Sequence, residues 1–379
     1  MNGRARRCSS TKYPETVNGT PPTLALTSVA LAATLVIGLS GCAANELAVT
    51  SDSTLSGLLL GDGASSQKAA QDVWVAAFQT EHPRATVEYN PIGSGSGREA
   101  FLAGASSFAG SDRAFRLSEI AEEEFLSCAP NTGIVELPAY ISPIAIVFNV
   151  EGVDSLSLDP STLARIFTGD IRRWNDPALV ALNPEQNLPD ATITAVHRAD
   201  DSGVTENFTD YLAQAAPTEW PYSPSGEWPV SGGEAANQTS GVISAVTTGI
   251  GTIGYTDASR AEGLGIAGVL VGDSPTFPTA ESAAAIVDAS TVEEGRSPGD
   301  LAIDLDRATT SEGAYPIVLV SYLIGCVEYR KSDQAELVKR YFDYVISDDG
   351  QARAQDYAGS APISASLFER ASAAVNLIH

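Results

Sequence analysis

"NPIGSGSGREAF", residues 90–101, sets three glycines and two serines between a strand-like run, "ATVEYN" (85–90), and a run with helical character, "REAFLAGA" (98–105). Strand, glycine turn and helix in that order form the unit from which layered α/β domains with a mainly parallel sheet are built. The same alternation extends in both directions. Upstream, "TLSGLLLGDG" (54–63) reads as a strand, and Ala70, Val73, Trp74, Ala77 and Phe78 make one apolar helical stripe that Pro83 ends. Downstream, "SSFAGSD" (106–112) reads as a strand entering a turn and "LSEIAEEEFLSC" (117–128) as a helix. The run "GIVELPAYISPIAIVFNV" (133–150) is extended, apolar and long for one strand, so it can cross between two domains. A second α/β pattern follows, with helix "PSTLARIF" (160–167), strand "ATITAVHR" (191–198) and a helix whose Val204, Phe208, Tyr211 and Leu212 share a face. Then come helix "TSGVISAVTT" (239–248), strand "GTIGYT" (251–256), the apolar "YPIVLVSYLIGC" (315–326) and a closing helix striped by Val338, Tyr341, Phe342, Val345 and Ile346.

The 379 residues suffice for two domains, and 44% hydrophobic with 18% charged residues fits a globular chain. Residues 1–41 read separately. Arg4, Arg6, Arg7 and Lys12 give a basic start, and "TLALTSVALAATLVIGLSG" (23–41) carries no charge, the pattern of a signal peptide, with a retained membrane helix as the alternative. Leu39, Ser40, Gly41 and Cys42 read as a bacterial lipobox in which Cys42 becomes the lipidated first residue, and "AANELAVTSDS" (43–53) reads as a tether. The expectation is an exported protein anchored to the outer face of the cell membrane. Loss of residues 1–41 leaves 18 basic and 46 acidic residues, a formal charge of −28. Such a surface is poorly suited to nucleic acid, whose phosphates must be neutralised by Lys and Arg. Cys128 and Cys326 remain as an even pair in an oxidising compartment, either bridged or as two unlinked buried thiols. The three histidines are scattered and no C-x-x-C occurs, so neither a metal nor another cofactor is expected.

Four turns share a composition of glycine and small hydroxyl residues: "GDGASSQ" (61–67), "IGSGSG" (92–97), "GSD" (110–112) and "HRADDSGVTENF" (197–208). Backbone N–H groups at a helix start bind anions without a formal charge, and hydroxyls add donors. Singly, each serine can be no more than a helix cap. Arg198 beside the helix start at Ser202 supplies charge-assisted donors for a tetrahedral oxyanion, unless it merely pairs with Asp200 or Asp201. Asp112 is the odd member, because a carboxylate repels an anion that brings no proton to share. Hydrogenphosphate brings one and sulfate at neutral pH does not. The phosphate-loop signature G-x-x-x-x-G-K-[ST] is absent, and no enzyme is expected.

The set "GDGASSQ", "YNPIGSGSGREAF", "FAGSD", "IFTGDIRRWNDP", "HRADDSGVTENFTDYL", "GTIGYT" and "YPIVLVSYLI" resembles the phosphate-binding lipoproteins of the high-affinity phosphate ABC importer, the PstS type. The matches run in order over nearly the whole chain beyond the leader, and Ser94 and Asp112 stand 18 positions apart as the family pattern expects. The resemblance implies a two-lobed periplasmic-binding-protein-like (type II) fold with discontinuous lobes, 54–138 plus 312–379 and 139–311, and two hinge crossings, near 138–145 and before Tyr315. It implies inorganic phosphate as ligand, and the permease and ATPase subunits of an importer as partners. Carried over by position, Ser65 and the backbone of Ser66 donate from the first turn, Ser94 from the second, and Asp112 accepts the hydrogen of the bound phosphate. Arg198 pairs with phosphate oxygens while Asp200 orients it, and Ser202 and Gly203 donate from the helix start. The glycines of 93–97 then permit a close turn, with Ser96 and Arg98 serving the helix start. Two positions depart from the family pattern: Ser66 replaces an apolar residue, and Val204 stands where a threonine is usual, removing one hydroxyl donor.

Overall fold

The apolar stripes largely become buried faces: Ala70, Trp74 and Phe78 are buried and Val73 and Ala77 half-buried in the first helix, and Val338, Tyr341, Phe342, Val345 and Ile346 are all buried near the C-terminus. The computed structural model describes residues 53–379; the expected signal peptide, lipidation at Cys42 and the tether up to Asp52 lie outside them. The first α/β units are β1 (Ser56–Gly63), α1 (Lys68–Glu81), β2 (Arg84–Asn90), α2 (Ser94–Leu102), β3 (Phe108–Ser111) and α3 (Leu117–Glu122). The long strand β4 (Ile134–Asn149) leads to β5 (Leu156–Leu158), α4 (Pro160–Phe167), α5 (Pro177–Leu182), β6 (Thr194–Arg198), α6 (Gly203–Ala215), β7 (Glu234–Ala236), α7 (Gln238–Thr248) and β8 (Thr252–Asp257). Next are β9 (Gly265–Val271), β10 (Ser274–Thr276), α8 (Ala280–Asp288), β11 (Thr291–Val292) and β12 (Ile303–Asp304). The chain finishes with β13 (Val318–Cys326), α9 (Ser332–Ile346), α10 (Asp348–Ala358) and α11 (Ala365–Val375), so the striped helix expected to close it is followed by two more.

The sheet path is β2-β1-β3-β13-β4-β8-β6-β7. Its outer parts are parallel, as the strand–turn–helix units require: β1 pairs with β2 and β3, and β6 with β7 and β8. Its centre is antiparallel, through β13 with β3 and β4, and β4 with β8. A mainly parallel sheet is therefore corrected to a mixed one. The run from 133 to 150 proves to be a single strand of 16 residues, buried along almost its whole length. Its first half pairs with β13 up to Pro143, and its second half, from Ile144, pairs with β8. Ile144 N–H donates to the Ile317 carbonyl at 2.7 Å, just before β13 begins, so two adjacent backbone runs pass between the two parts of the sheet at one level.

Each part has its own aromatic core. Phe78 meets Tyr341 edge-on at 5.2 Å, and Phe108 packs on Tyr341 and Phe342. On the other part Phe208 stacks on Tyr255 at 4.5 Å, with Phe167 and Trp228 around them. Each such ring removes 150–250 Å² from water, roughly, and dominates the local packing energy. Residues 296–303 lie against the first part: Leu301 N–H donates to the Glu136 carbonyl, Ile303 N–H to the Tyr322 hydroxyl, and Arg296 to the Phe115 carbonyl. Cys128 and Cys326 are joined by a disulfide with Cα atoms 5.3 Å apart. No helix among the described residues is long and apolar enough to cross a membrane.

Candidate functional site

Helix α2 begins at Ser94, inside the glycine turn, rather than at Arg98. Gly93, with φ +104°, makes the sharp entry that a side chain would strain. Arg98 consequently lies a turn into the helix, 4% exposed, where it donates to the Ser111 hydroxyl at 2.9 Å. It braces the end of β3 instead of capping α2. Ser94, at the first helical position, accepts from the Asp112 N–H at 3.2 Å.

Asp112 is the point on which the first part of the sheet converges. It follows β3, is 3% exposed, and has the Ser66 hydroxyl 2.6 and 2.7 Å from its two carboxylate oxygens. Ser321 of β13 donates to Oδ1 at 2.5 Å, and is itself held by the Gln67 amide at 2.6 Å. Burial pushes the Asp112 carboxyl up from its ordinary value; the Ser321 and Ser66 hydroxyls and the charge of Arg198 oppose that without cancelling it.

The second part supplies the opposite wall. Arg198 ends β6, is 4% exposed, donates from Nε to Asp200 at 2.8 Å and makes a second bond to the same carboxylate. Asp200 also accepts the Gln238 N–H at the start of α7, at 2.9 Å. Burial raises the Asp200 carboxyl, but the Arg198 guanidinium outweighs this and holds it below its ordinary value. Ser202 caps α6, accepting from Thr205 N–H at 3.5 Å, while its own N–H donates to the Gly226 carbonyl. Val204 is buried among apolar side chains.

The two walls meet. A methyl group on Gly203 would lie 2.5 Å from Cβ of Asp112, so only glycine permits this approach. Asn207 donates to the Asp112 carbonyl at 2.6 Å, and the Ser65 hydroxyl lies 3.1 Å from that of Thr239 on α7. Ser65, Ser66, Ser94, Asp112, Arg198, Ser202 and Gly203 are thus grouped about one place, where Asp112 faces the α6 start. Ser321, Thr239 and Asn207 belong to the same neighbourhood and were not singled out from the sequence. Ser321 sits in an apolar strand run, and its only signal was a lone hydroxyl among valine, leucine and tyrosine. Among the described residues no cluster of His, Cys, Asp and Glu could hold a metal ion.

Hydroxyl and backbone donors, one guanidinium and one buried carboxylate drawn together between two sheet parts have the chemistry to hold a small oxyanion. The chain matches the family model described as "PBP superfamily domain" over residues 48–349. It is 33% identical to phosphate-binding protein PstS2 of Mycobacterium bovis over 323 residues, covering 83% of this chain and 86% of that one. It is 28% identical to phosphate-binding protein PstS of Xylella fastidiosa over 328 residues, covering 84% and 85%. The chain belongs to the PstS-type phosphate-binding proteins of the PBP superfamily. In fold it is similar to the crystal structure of the phosphate-binding protein from Stenotrophomonas maltophilia, at TM-score 0.69 and 18% identity over 84% of this chain and 94% of that one. It is also similar to a high-affinity periplasmic phosphate-binding protein bound with phosphate, at TM-score 0.68 and 20% identity over 84% and 93%.

Proposed function

We propose that this protein captures inorganic phosphate, as hydrogenphosphate, between two lobes and delivers it to an ABC importer, and that it binds rather than transforms its ligand. The observation that carries this reading is Asp112: a buried carboxyl set among neutral hydroxyls, opposite one guanidinium, in a chain of strong negative charge. A fixed acceptor at that point favours an oxyanion that brings its own hydrogen and opposes one that does not. Ser65, the Ser66 backbone, Ser94, Ser202 and Gly203 would donate to phosphate oxygens, and Arg198, oriented by Asp200, would supply the single full positive charge. Removed from bulk water, these short-range contacts outweigh the screened acidic surface. Val204 offers no hydroxyl, and the Ser66 hydroxyl is engaged with Asp112, so one hydrogen bond fewer is available than the family pattern would give.

The lobes would comprise 54–138 with 312–379, and 139–311, hinged where β4 and the run before β13 cross, with residues 296–303 resting on the first lobe. Closure would bring the two walls together on the ligand, and the closed form would be recognised by the permease and its ATPase. Lipidation at Cys42 after removal of 1–41 would tether it to the outer face of the cell membrane. Calorimetric titration of the purified protein with phosphate, arsenate and sulfate tests the reading. Tight phosphate binding with sulfate excluded is expected; equal binding of sulfate would remove the role of Asp112, and no phosphate binding would end the proposal.

A further inference from the structure

We propose that Glu206 is a closure latch: an ion-pair hub that holds helix α6 of one lobe against the Asp112 loop of the other and so sets how long a bound ligand is retained. The inference rests on the two-lobe reading above. Glu206 lies in the first turn of α6, and its two carboxylate oxygens lie against different arginines of the first lobe: Arg116 donates a hydrogen bond to one, and Arg113 pairs with the other through charge, its Nε making no hydrogen bond. Arg113 Nε approaches at 2.6 Å, and Arg116 makes a shorter contact. Arg113 is fixed from its own side, since Glu119 binds it with two bonds of 2.7 and 2.8 Å. Burial raises the Glu119 carboxyl, but the Arg113 guanidinium overrides that and holds it down at about 2, so the anchor stays charged. Asn207, the next residue of α6, adds to the grip. Asn207 donates to the Asp112 carbonyl of the other lobe, and Arg307, which bonds Asn207 and Asp210 within its own lobe, donates across to the Pro316 and Val318 carbonyls at 3.1 and 3.0 Å.

Glu206 and Arg113 keep only 12% and 14% of their side chains exposed, and a cavity of about 190 Å³ adjoins them. A pair so enclosed is screened far less than a surface pair, and opening must separate it. None of the groups proposed to bind phosphate takes part in these ion pairs. The latch therefore acts on closure rather than on the anion. A carboxylate in the first turn of α6 would also repel an anion at that helix start, and its two arginines neutralise it.

The test compares wild type with Glu206→Gln, Arg116→Gln and the double variant. Phosphate dissociation is followed by stopped-flow tryptophan fluorescence at low and high salt, and the radius of gyration by X-ray scattering with and without phosphate. Glu206→Gln should speed dissociation about tenfold or more, at low and at high salt alike, with little change in association. It should also shift the scattering towards more extended forms at equal phosphate. Arg116, 53% exposed, should act in the same direction and more weakly, and the double variant should be little worse than Glu206→Gln alone. Unchanged dissociation and unchanged scattering in Glu206→Gln would overturn the latch, even if its melting temperature fell. Should wild type bind no phosphate, the functional reading fails separately. The ligand-free scattering then decides: a larger radius for Glu206→Gln supports the latch and an equal radius overturns it. Arg116→Gln gives the same readout if Glu206→Gln does not fold.

Discussion

In the site we propose, Asp112 is the buried carboxylate on which discrimination between oxyanions would turn. Its two oxygens accept from Ser66 and Ser321, which leaves acceptor capacity facing the α6 start and no donor unless a proton arrives with the ligand. Asp112→Asn replaces one acceptor oxygen by a donor, so calorimetry should show sulfate binding gained relative to phosphate by roughly ten- to a hundred-fold, the worth of one hydrogen bond to a charged group. A second buried acid has a consequence for stability. Asp257 is wholly buried, and burial pushes its carboxyl up to about 6, against the pull of the Ser259, Tyr140 and Ser142 hydroxyls. Its folded value lies above its unfolded value of 3.8, so its contribution is fully present below pH 3.8 and is lost as pH rises through about 6. The loss is about 3 kcal/mol for a shift of about two units. Denaturant titrations at pH 4 and pH 7.5 should therefore find Asp257→Asn more stable relative to wild type at the higher pH, and a pH-independent difference would refute the assignment. That Ser94, Asp112 and Arg198 stand where strands end or helices begin was legible in the sequence, because each lies in a turn of recognisable composition. Ser321 was not, because its partner lies 209 positions away and only strand pairing brings them together.

At the scale of elements, α6 carries the most consequences. Its cap, Ser202, and its first residue, Gly203, were both readable from "DSGVTENF", since small hydroxyl residues begin helices and the apolar stripe sets the buried face. What Gly203 touches was not readable. A Cβ there collides with Cβ and backbone of Asp112, so Gly203→Ala should hinder closure. We expect phosphate affinity to fall about tenfold or more. The ligand-free protein should melt within the change of about 1 kcal/mol typical of point substitutions, as scanning calorimetry would show. Wild-type affinity in this variant would mean that the walls do not meet in the bound state. Helix α2 teaches the complementary lesson. Glycine and serine are weak helix formers, so the sequence placed its start at Arg98, whereas packing against the β1 and β3 ends drew Ser94–Gly97 into the helix and buried Arg98.

Over the whole molecule, the disulfide ties residues 198 positions apart, the segment before β4 to the end of β13. Closing so long a loop restricts the unfolded chain, and its removal should cost about 2–5 kcal/mol. The Cys128→Ser, Cys326→Ser double variant should accordingly unfold at lower denaturant than wild type under oxidising conditions and at the same concentration as fully reduced wild type to within the effect of the substitutions. The acidic balance, the alternation of strands and helices, the absence of metal-ligand spacing and the four donor turns follow from residue order alone, since each depends on neighbours in sequence. The antiparallel centre of the sheet, the passage of β4 through both of its parts, the bond between Cys128 and Cys326 and the company Asp112 keeps were decided only in three dimensions. Long-range pairing is selected by the burial of whole faces against one another, and no local pattern records which distant strand or hydroxyl will lie on the other side.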